Sequence, residues 1–593
     1  MASNQAVKRQ VICLATAAIV AVAFFAFTDG LLAGTWRWCL NESAAVIPAA
    51  VGAAVYAVAF QKNPRMLVCA ALWTLFLLVP ALIVRALVPN PDMLVRGDGI
   101  KYSSSLVIAV SGGIVLTLVS AWAASVRQTM LRALLRIISA VLWLLAALVP
   151  LTAIGYAVSH GTPIGVYDVI AVWQTTPKEA LEYVRFKDIP LAMSAVAGTA
   201  AALFLAAAGV RFKPMSPKRG TLALALAAAV LCGFGFYKGA PKSLTLEPYA
   251  DASETYAQMQ AFAIGNRRRQ EIAEALPDIR AQGENGLFVL VIGESQSRDR
   301  MSAYGYGRDT TPWLRSMEGR PGFVRLRRAY SSSVSTVLAV TSALTSVSQY
   351  APEKKLETSP SIIEILNAAG YSTQWFSRQD KIGINDTSVT VIAKQAGTSE
   401  WLGGNFDDEL VERIKKLPIQ KGKTFVVLHT YGCHAAYFLR YPKSAEYWPA
   451  DSSPNQYDNA VRYNDGLMKE LFETLSSRPD FKALIMMSDH AEDMKLGHNG
   501  SNFTWAMTRI PVWFAFSESY AGAHKDIVEA LRANSGRPFT NDMMFDVLCR
   551  ITGVSGIPFY TPENDIASDR YARRPEELRT MSGTKAIVDD PQF

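Results

Sequence analysis

The chain changes character near Tyr237. Before it, apolar runs follow one another across short charged gaps; after it, short apolar segments alternate with amphipathic ones. Seven apolar stretches are candidate membrane spans, near residues 11–33, 43–60, 66–88, 105–125, 132–157, 190–210 and 221–237. A hydrocarbon core of roughly 30 Å needs about 20 apolar residues, which most of them supply; the second and last are short, so five or six spans also fit. From Gly286 the period shortens. Leu287–Ile292, Thr373–Phe376, Thr424–Leu428, Ala483–Met487 and Pro511–Phe516 read as buried strands, with helical patterns over Ser361–Ala369 and Tyr457–Leu475 among them. Such alternation predicts an α/β domain with a largely parallel sheet. The expected architecture is an N-terminal all-α transmembrane bundle over 1–240, an amphipathic linker at the membrane surface over 241–285, and a C-terminal α/β domain over 286–593.

Charge adds orientation. Lys8 and Arg9 precede the first run, Lys62 and Arg65 follow the second, Arg127, Arg132 and Arg136 surround the fourth gap, and Arg211, Lys213, Lys218 and Arg219 fill the sixth. The positive-inside rule puts the N-terminus in the cytoplasm, and an odd number of spans then puts the polar half outside it. The linker segment Ser253–Ala275 reads as helical, with Arg267, Arg268 and Arg269 beside apolar positions, a pattern suited to a membrane surface. One outer loop, Gly165–Val184, reads as an amphipathic helix, a break at Pro177 and a second helix, fit either to lie at the interface or to line a substrate entrance.

Composition narrows the function classes. The net charge of +8 sits largely in loops between apolar runs, and no basic helix or binding module points to nucleic acid. Of six cysteines, Cys13, Cys69 and Cys232 lie in apolar runs, while Cys39, Cys433 and Cys549 are far apart. That is no disulfide framework, although spacing leaves a Cys433–Cys549 bridge open.

In open α/β sheets, ligands gather beyond the C-terminal ends of the strands. The first expected strand runs into Glu294-Ser295, another into His429 and on to His434, a third into Ser488-Asp489-His490-Ala491-Glu492-Asp493, with His498 just beyond. Four of the chain's six histidines therefore fall between 429 and 498. A lone histidine there would read as a satisfied core residue; an Asp-His pair with His and Glu on neighbouring strands reads as a metal site. Carboxylate with imidazole suits zinc or manganese better than calcium or magnesium. Tyr330–Leu338 offers several hydroxyls just before a helical stretch, placed to cap that helix or to serve as an activated nucleophile.

These segments together resemble the phosphoethanolamine transferases, membrane-anchored enzymes of the alkaline phosphatase/sulfatase superfamily. The resemblance rests on Val291–Pro312, with its Gly-Glu-Ser, Arg-Met-Ser, Tyr-Gly-Tyr and Thr-Thr-Pro elements, on His429–Pro442, on Tyr457–Asp465, on Ser488-Asp489-His490 and on Gln174–Glu179. It implies an alkaline-phosphatase/sulfatase-like C-terminal domain and one tightly held zinc. Glu294, Asp489 and His490 would be ligands, with Thr336 as both ligand and nucleophile and Ser335 as its rival. His434 and His498 match histidines that hold substrate phosphate, assist proton transfer or bind a second metal. Gln174 and Glu179 would meet the donor headgroup. The resemblance further implies a bacterial inner-membrane enzyme with a periplasmic catalytic domain. Its donor would be phosphatidylethanolamine and its acceptor lipopolysaccharide core, lipid A or a periplasmic glucan. Ala491 stands where the family has glycine, and His434-Ala435-Ala436 replaces His-Gly-Pro. A sulfatase is disfavoured by the lack of a Cys/Ser-x-Pro-x-Arg segment. A phosphoglycerol transferase using phosphatidylglycerol, or an inactive envelope scaffold, are the alternatives.

Overall fold

The structure, a computed structural model, describes residues 43–87, 98–160, 164–175, 197–198, 218–243, 245–379, 387–498 and 503–593. They divide into two compact units, with boundaries after Val169 and Ser253. The first unit contains the apolar helices Ser43–Phe60, Pro64–Leu87, Asp98–Ser125, Thr129–His160 and Arg219–Gly239. Among the described residues four helices are long and apolar enough to cross a membrane, and Ala44–Phe60 is a shorter apolar one. These five account for five of the seven expected stretches. The stretch 11–33 lies outside the described residues, as does nearly all of 190–210. Close packing explains why the helices associate without a hydrophobic drive. A Cβ at Gly113 would stand 2.8 Å from the Ala70 carbonyl, and Ser120 and Ser139 meet across helices at 3.0 Å with Trp143 Nε1 donating to Ser120 Oγ. Leu134, Ile137, Val141, Leu145 and Leu148 point outward, as a lipid-facing helix requires.

The second unit is built on a seven-stranded sheet. Its strands are β1 (Gly286–Gly293), β2 (Phe323–Leu326), β4 (Ser372–Ser377), β5 (Thr398–Trp401), β6 (Lys423–His429), β7 (Phe481–Ser488) and β8 (Val512–Phe516); β3 (Arg328–Tyr330) pairs apart with β9 (Pro538–Thr540). The order is β2-β8-β7-β1-β6-β4-β5, parallel except that β8 runs antiparallel to both neighbours. Central β1 explains the unbroken apolar run. Phe288, Leu290 and Ile292 enter one core and Leu287, Val289 and Val291 the other, so both faces are dry. All five expected strands are present. Cys433 and Cys549 are buried free thiols, so no bridge joins them.

The expected helix over 253–275 is two helices, Glu247–Ile264 and Asn266–Glu274, separated at Gly265. Arg267 and Arg268 face solvent, but Arg269 is buried over the Phe262 ring, with Nε 3.2 Å from Glu364 Oε2. Neither side chain of this ion pair is exposed. Removing one partner strands the other charge in the core, so Arg269→Ala is expected to cost about 3–5 kcal/mol in urea unfolding, with Glu364→Gln restoring part of it in the double variant.

The C-terminal part carries two buried carboxyls whose titration has a definite sign. Burial raises Asp546 and Asp565 from 3.8 to about 7, and in Asp565 the nearby Asp546 charge adds to the rise. The unfolded chain ionises these groups from about pH 4, while the folded chain keeps its protons up to about 7. Their contribution to stability is therefore full below pH 4 and is lost as pH rises to 7. Asp546→Asn should raise the melting temperature at pH 8 by the equivalent of about 1–3 kcal/mol and flatten the profile between pH 4 and 7.

Candidate active site

Glu294 follows β1 and Asp489-His490 follows β7, on strands paired side by side with Gly293 opposite Ser488. The three side chains converge at the C-terminal edge of the sheet. Thr336 reaches them from the first turn of the helix Thr336–Leu344, whose N-cap is Ser335. Its Oγ1 donates to Glu294 Oε2 at 3.2 Å and lies 3.2 Å from His490 Nε2. Of the two rival hydroxyls, it is that of Thr336 which makes these bonds.

The backbone around the cluster is held in forms the sequence alone would not favour. Ser295 has φ of 55°, a left-handed conformation that turns its Oγ onto Glu294 Oε1 and its N–H onto Asp489 Oδ1. Gly432 has φ of +54°, and a Cβ there would lie 2.5 Å from the Glu294 carbonyl oxygen. Glycine is obligatory at this contact, where Cys433 N–H donates to the same carbonyl. Asp407 accepts the Tyr431 and Gly432 N–H groups, both at 2.8 Å. Asn541 links the two halves of the site: its Oδ1 accepts from Ser332 N, just before the Thr336 helix, and its Nδ2 donates to the Asp489 carbonyl.

The donor set fits a divalent cation. Glu294 and Asp489 are buried within reach of one imidazole. Burial raises the pKa of both, and the Asp489 charge raises Glu294 further. Asp489 Oδ1 takes the His490 and Ser295 N–H groups, while Oδ2 is buried without a hydrogen-bond partner. His490 Nδ1 lies 3.1 Å from the Ala491 carbonyl, an acceptor only, so the proton belongs on Nδ1 and Nε2 presents its lone pair to the cluster. Burial holds His490 neutral, down to about 4. Two buried carboxylates, one oxygen without a hydrogen bond and one free imidazole lone pair are what such an ion would satisfy.

His490, Glu492 and His498 form a second group of that kind, sharing His490. His498 Nδ1 lies 2.6 Å from Glu492 Oε2, and Tyr437 OH donates to Oε1. Burial opposes charge on His498, but the Glu492 carboxylate prevails and raises it to about 9. His434 behaves oppositely: burial lowers it to about 4, and its Nδ1 has no hydrogen-bond partner. Its ring centroid lies 6.4 Å from that of His498. The site thus brings together Glu294, Thr336, Asp489, His490, His434 and His498. The helix expected before Pro177 is present as Val166–Gln174, whereas the Gln174 side chain and Glu179 lie outside the described residues.

Sequence reasoning missed Gln379, whose Nε2 donates to Glu294 Oε2 at 2.8 Å and to the Thr430 carbonyl at 3.1 Å. A signal existed, because Gln379 lies two residues past the C-terminal end of β4. Tyr437, Glu492 and Asn541 were likewise given no role. The departure at Ala491 is accommodated: its methyl is buried among apolar neighbours and its N–H donates to the Met507 carbonyl.

Residues 287–538 match the Sulfatase family. Phosphoethanolamine transferase EptC of Escherichia coli (strain K12) is 26% identical over 513 residues, covering 77% of this chain and 86% of the relative. Phosphoethanolamine transferase CptA of Salmonella typhimurium (strain LT2) is 28% identical over 507 residues with the same coverage of each. The integral membrane lipooligosaccharide phosphoethanolamine transferase A of Neisseria meningitidis superimposes with a TM-score of 0.57 at 17% identity, over 85% of this chain and 98% of that one. Apolar helices long enough to cross a membrane, followed by an α/β domain of alkaline-phosphatase/sulfatase-like fold, define the class of protein. Within that class the chain is similar to the phosphoethanolamine transferases EptC and CptA.

Proposed function

We propose that the chain transfers phosphoethanolamine from phosphatidylethanolamine to an envelope glycan, through a phosphoethanolamine ester of Thr336. The observation that carries this reading is the Thr336 hydroxyl at a helix N-terminus, hydrogen bonded to Glu294 and His490 in one buried cluster. Zinc held by Glu294, Thr336, Asp489 and His490 would lower the pKa of the threonine hydroxyl and offset phosphoryl charge. Thr336 Oγ1 passes its proton to Glu294 Oε2, which returns it when Thr336 is displaced, and attacks phosphorus; the Oγ–P bond forms and the bond to the diacylglycerol oxygen breaks. His498, charged at neutral pH beside Glu492, gives its proton to that leaving oxygen. In the second half-reaction the neutral His498 takes the proton of the acceptor hydroxyl as its oxygen displaces Thr336. Neutral His434 is placed to hydrogen-bond a phosphoryl oxygen.

A lipid donor suits an enzyme set in the bacterial inner membrane with its catalytic domain in the periplasm. Exposed Ile264 beside Arg267 and Arg268 supports a linker, 241–285, that rests on an anionic lipid surface. Gln174 and Glu179 would organise the site on the donor side, and holding a second zinc is the alternative to proton transfer for Glu492 with His498. Lipopolysaccharide core, lipid A or a periplasmic glucan would serve as acceptor. The deciding experiment offers the purified enzyme phosphatidylethanolamine or phosphatidylglycerol and measures diacylglycerol. Release from phosphatidylethanolamine alone supports the reading; release from phosphatidylglycerol alone makes the enzyme a phosphoglycerol transferase; release from neither makes the chain a scaffold.

A further inference from the structure

Beside the reacting cluster, by the helix Ser388–Gln395, lies a half-open cleft of about 20 Å³ lined by Trp375, Ser377, Gln379, Thr390, Trp401 and His429. That is room for one water-sized group. Three features make it more than a packing defect. His429 Nε2 is buried there without a hydrogen-bond partner, on a residue only 3% exposed. Two indoles form part of the wall, and a primary ammonium against an indole face is a favoured pairing that strengthens once water is removed. Finally, Gln379 belongs to both places: it lines the cavity while its Nε2 donates to the Glu294 oxygen that also accepts from Thr336.

From these juxtapositions we infer that the cavity receives the primary ammonium of the donor headgroup while its phosphate sits at Thr336. The inference rests on the functional reading above and specifies how that site selects its donor. An ammonium offers three N–H donors and no acceptor. His429 Nε2, the Gln379 carboxamide oxygen and the Thr390 and Ser377 hydroxyls supply acceptor atoms around a space of that size. A neutral imidazole is required for this, and burial keeps His429 neutral, at about 4. The negative charge nearest the cavity along this path is that of Glu294, relayed through the Gln379 amide. A hydroxyl headgroup would lose the charge-dependent contact, and a trimethylammonium has no N–H to give these acceptors. Both should be poor donors.

The test uses the full-length enzyme and two chromogenic diesters that differ only in having a methyl in place of the ammonium: the 4-nitrophenyl ester of phosphoethanolamine and propyl 4-nitrophenyl phosphate. In each, attack on phosphorus expels 4-nitrophenolate, read by its absorbance. The wild type is expected to favour the first ester by tenfold or more in kcat/KM, and His429→Leu and Trp401→Leu should each lower that ratio by about tenfold. A ratio unchanged in both variants, or both rates falling in proportion, overturns the ammonium site and identifies a structural water cavity. Failure of the zinc-loaded wild type to cleave either ester would instead overturn the transferase reading on which the inference depends.

Discussion

Thr336→Ala is expected to abolish transfer, lowering kcat by about 10³-fold or more, and to leave no covalent adduct after incubation with phosphatidylethanolamine. Wild-type protein in the same experiment should gain the mass of one phosphoethanolamine, with diacylglycerol released in equal amount. The expectation follows from position more than residue type. Thr336 opens a helix whose N–H groups favour developing negative charge, and its hydroxyl is the one bonded to Glu294 and His490. Thr336→Ser keeps the oxygen but frees its rotamer, so an adduct should form more slowly. An adduct that survives in Thr336→Ala would move the nucleophile to Ser335, one residue earlier. The change should barely affect folding, since it removes a partly buried hydroxyl and leaves the helix intact.

The strands that sequence revealed and the strands it hid differ in how they are buried. Central β1, β6 and β7 are buried on both faces and read as nearly continuous apolar runs. Edge strands β2 and β5, Phe323–Leu326 and Thr398–Trp401, are four residues long and partly exposed, so neither leaves such a run. The same logic governs the site. Glu294, Asp489 and His490 were legible because they follow central strands directly. Gln379 obeys the same rule, but the apolar run of its strand ends at Phe376, three residues before it. Asn541 was out of reach, because only the pairing of β3 with β9 brings it beside Asp489. The quoted motifs proved to be each other's partners. Asp458 accepts from Arg300 and Arg308 of the Arg-Met-Ser and Tyr-Gly-Tyr segment, and Asp465 takes the Trp313 and Leu314 N–H groups at the start of the Thr-Thr-Pro helix. Spacing records such couplings without naming their chemistry.

Removal of the metal should destabilise the wild type, whereas Asp489→Asn should stabilise the metal-free form and blunt its response to zinc. In metal-free wild type, two buried carboxylates face each other across one neutral imidazole, with Asp489 Oδ2 unpaired. That arrangement costs folding energy, which a bound cation reverses. Chelation is expected to lower the melting temperature, and zinc at about 1,000 times its Kd should restore about 4 kcal/mol. Asp489→Asn removes one charge and one ligand together. Its metal-free form should therefore melt above metal-free wild type, yet zinc should stabilise it little, with affinity reduced by about 10²-fold or more. Metal content by mass spectrometry and melting with and without chelator read both signs independently of turnover. If Asp489→Asn instead melts lower than the metal-free wild type and still responds fully to zinc, the carboxylate serves the backbone N–H groups of His490 and Ser295 on its Oδ1 side, and the ligand role falls to Glu294 and His490 without it. If the two signs come out crossed, the strain of the empty cluster and the affinity of the filled one have the same origin, because the charges that repel in its absence are those that hold the ion.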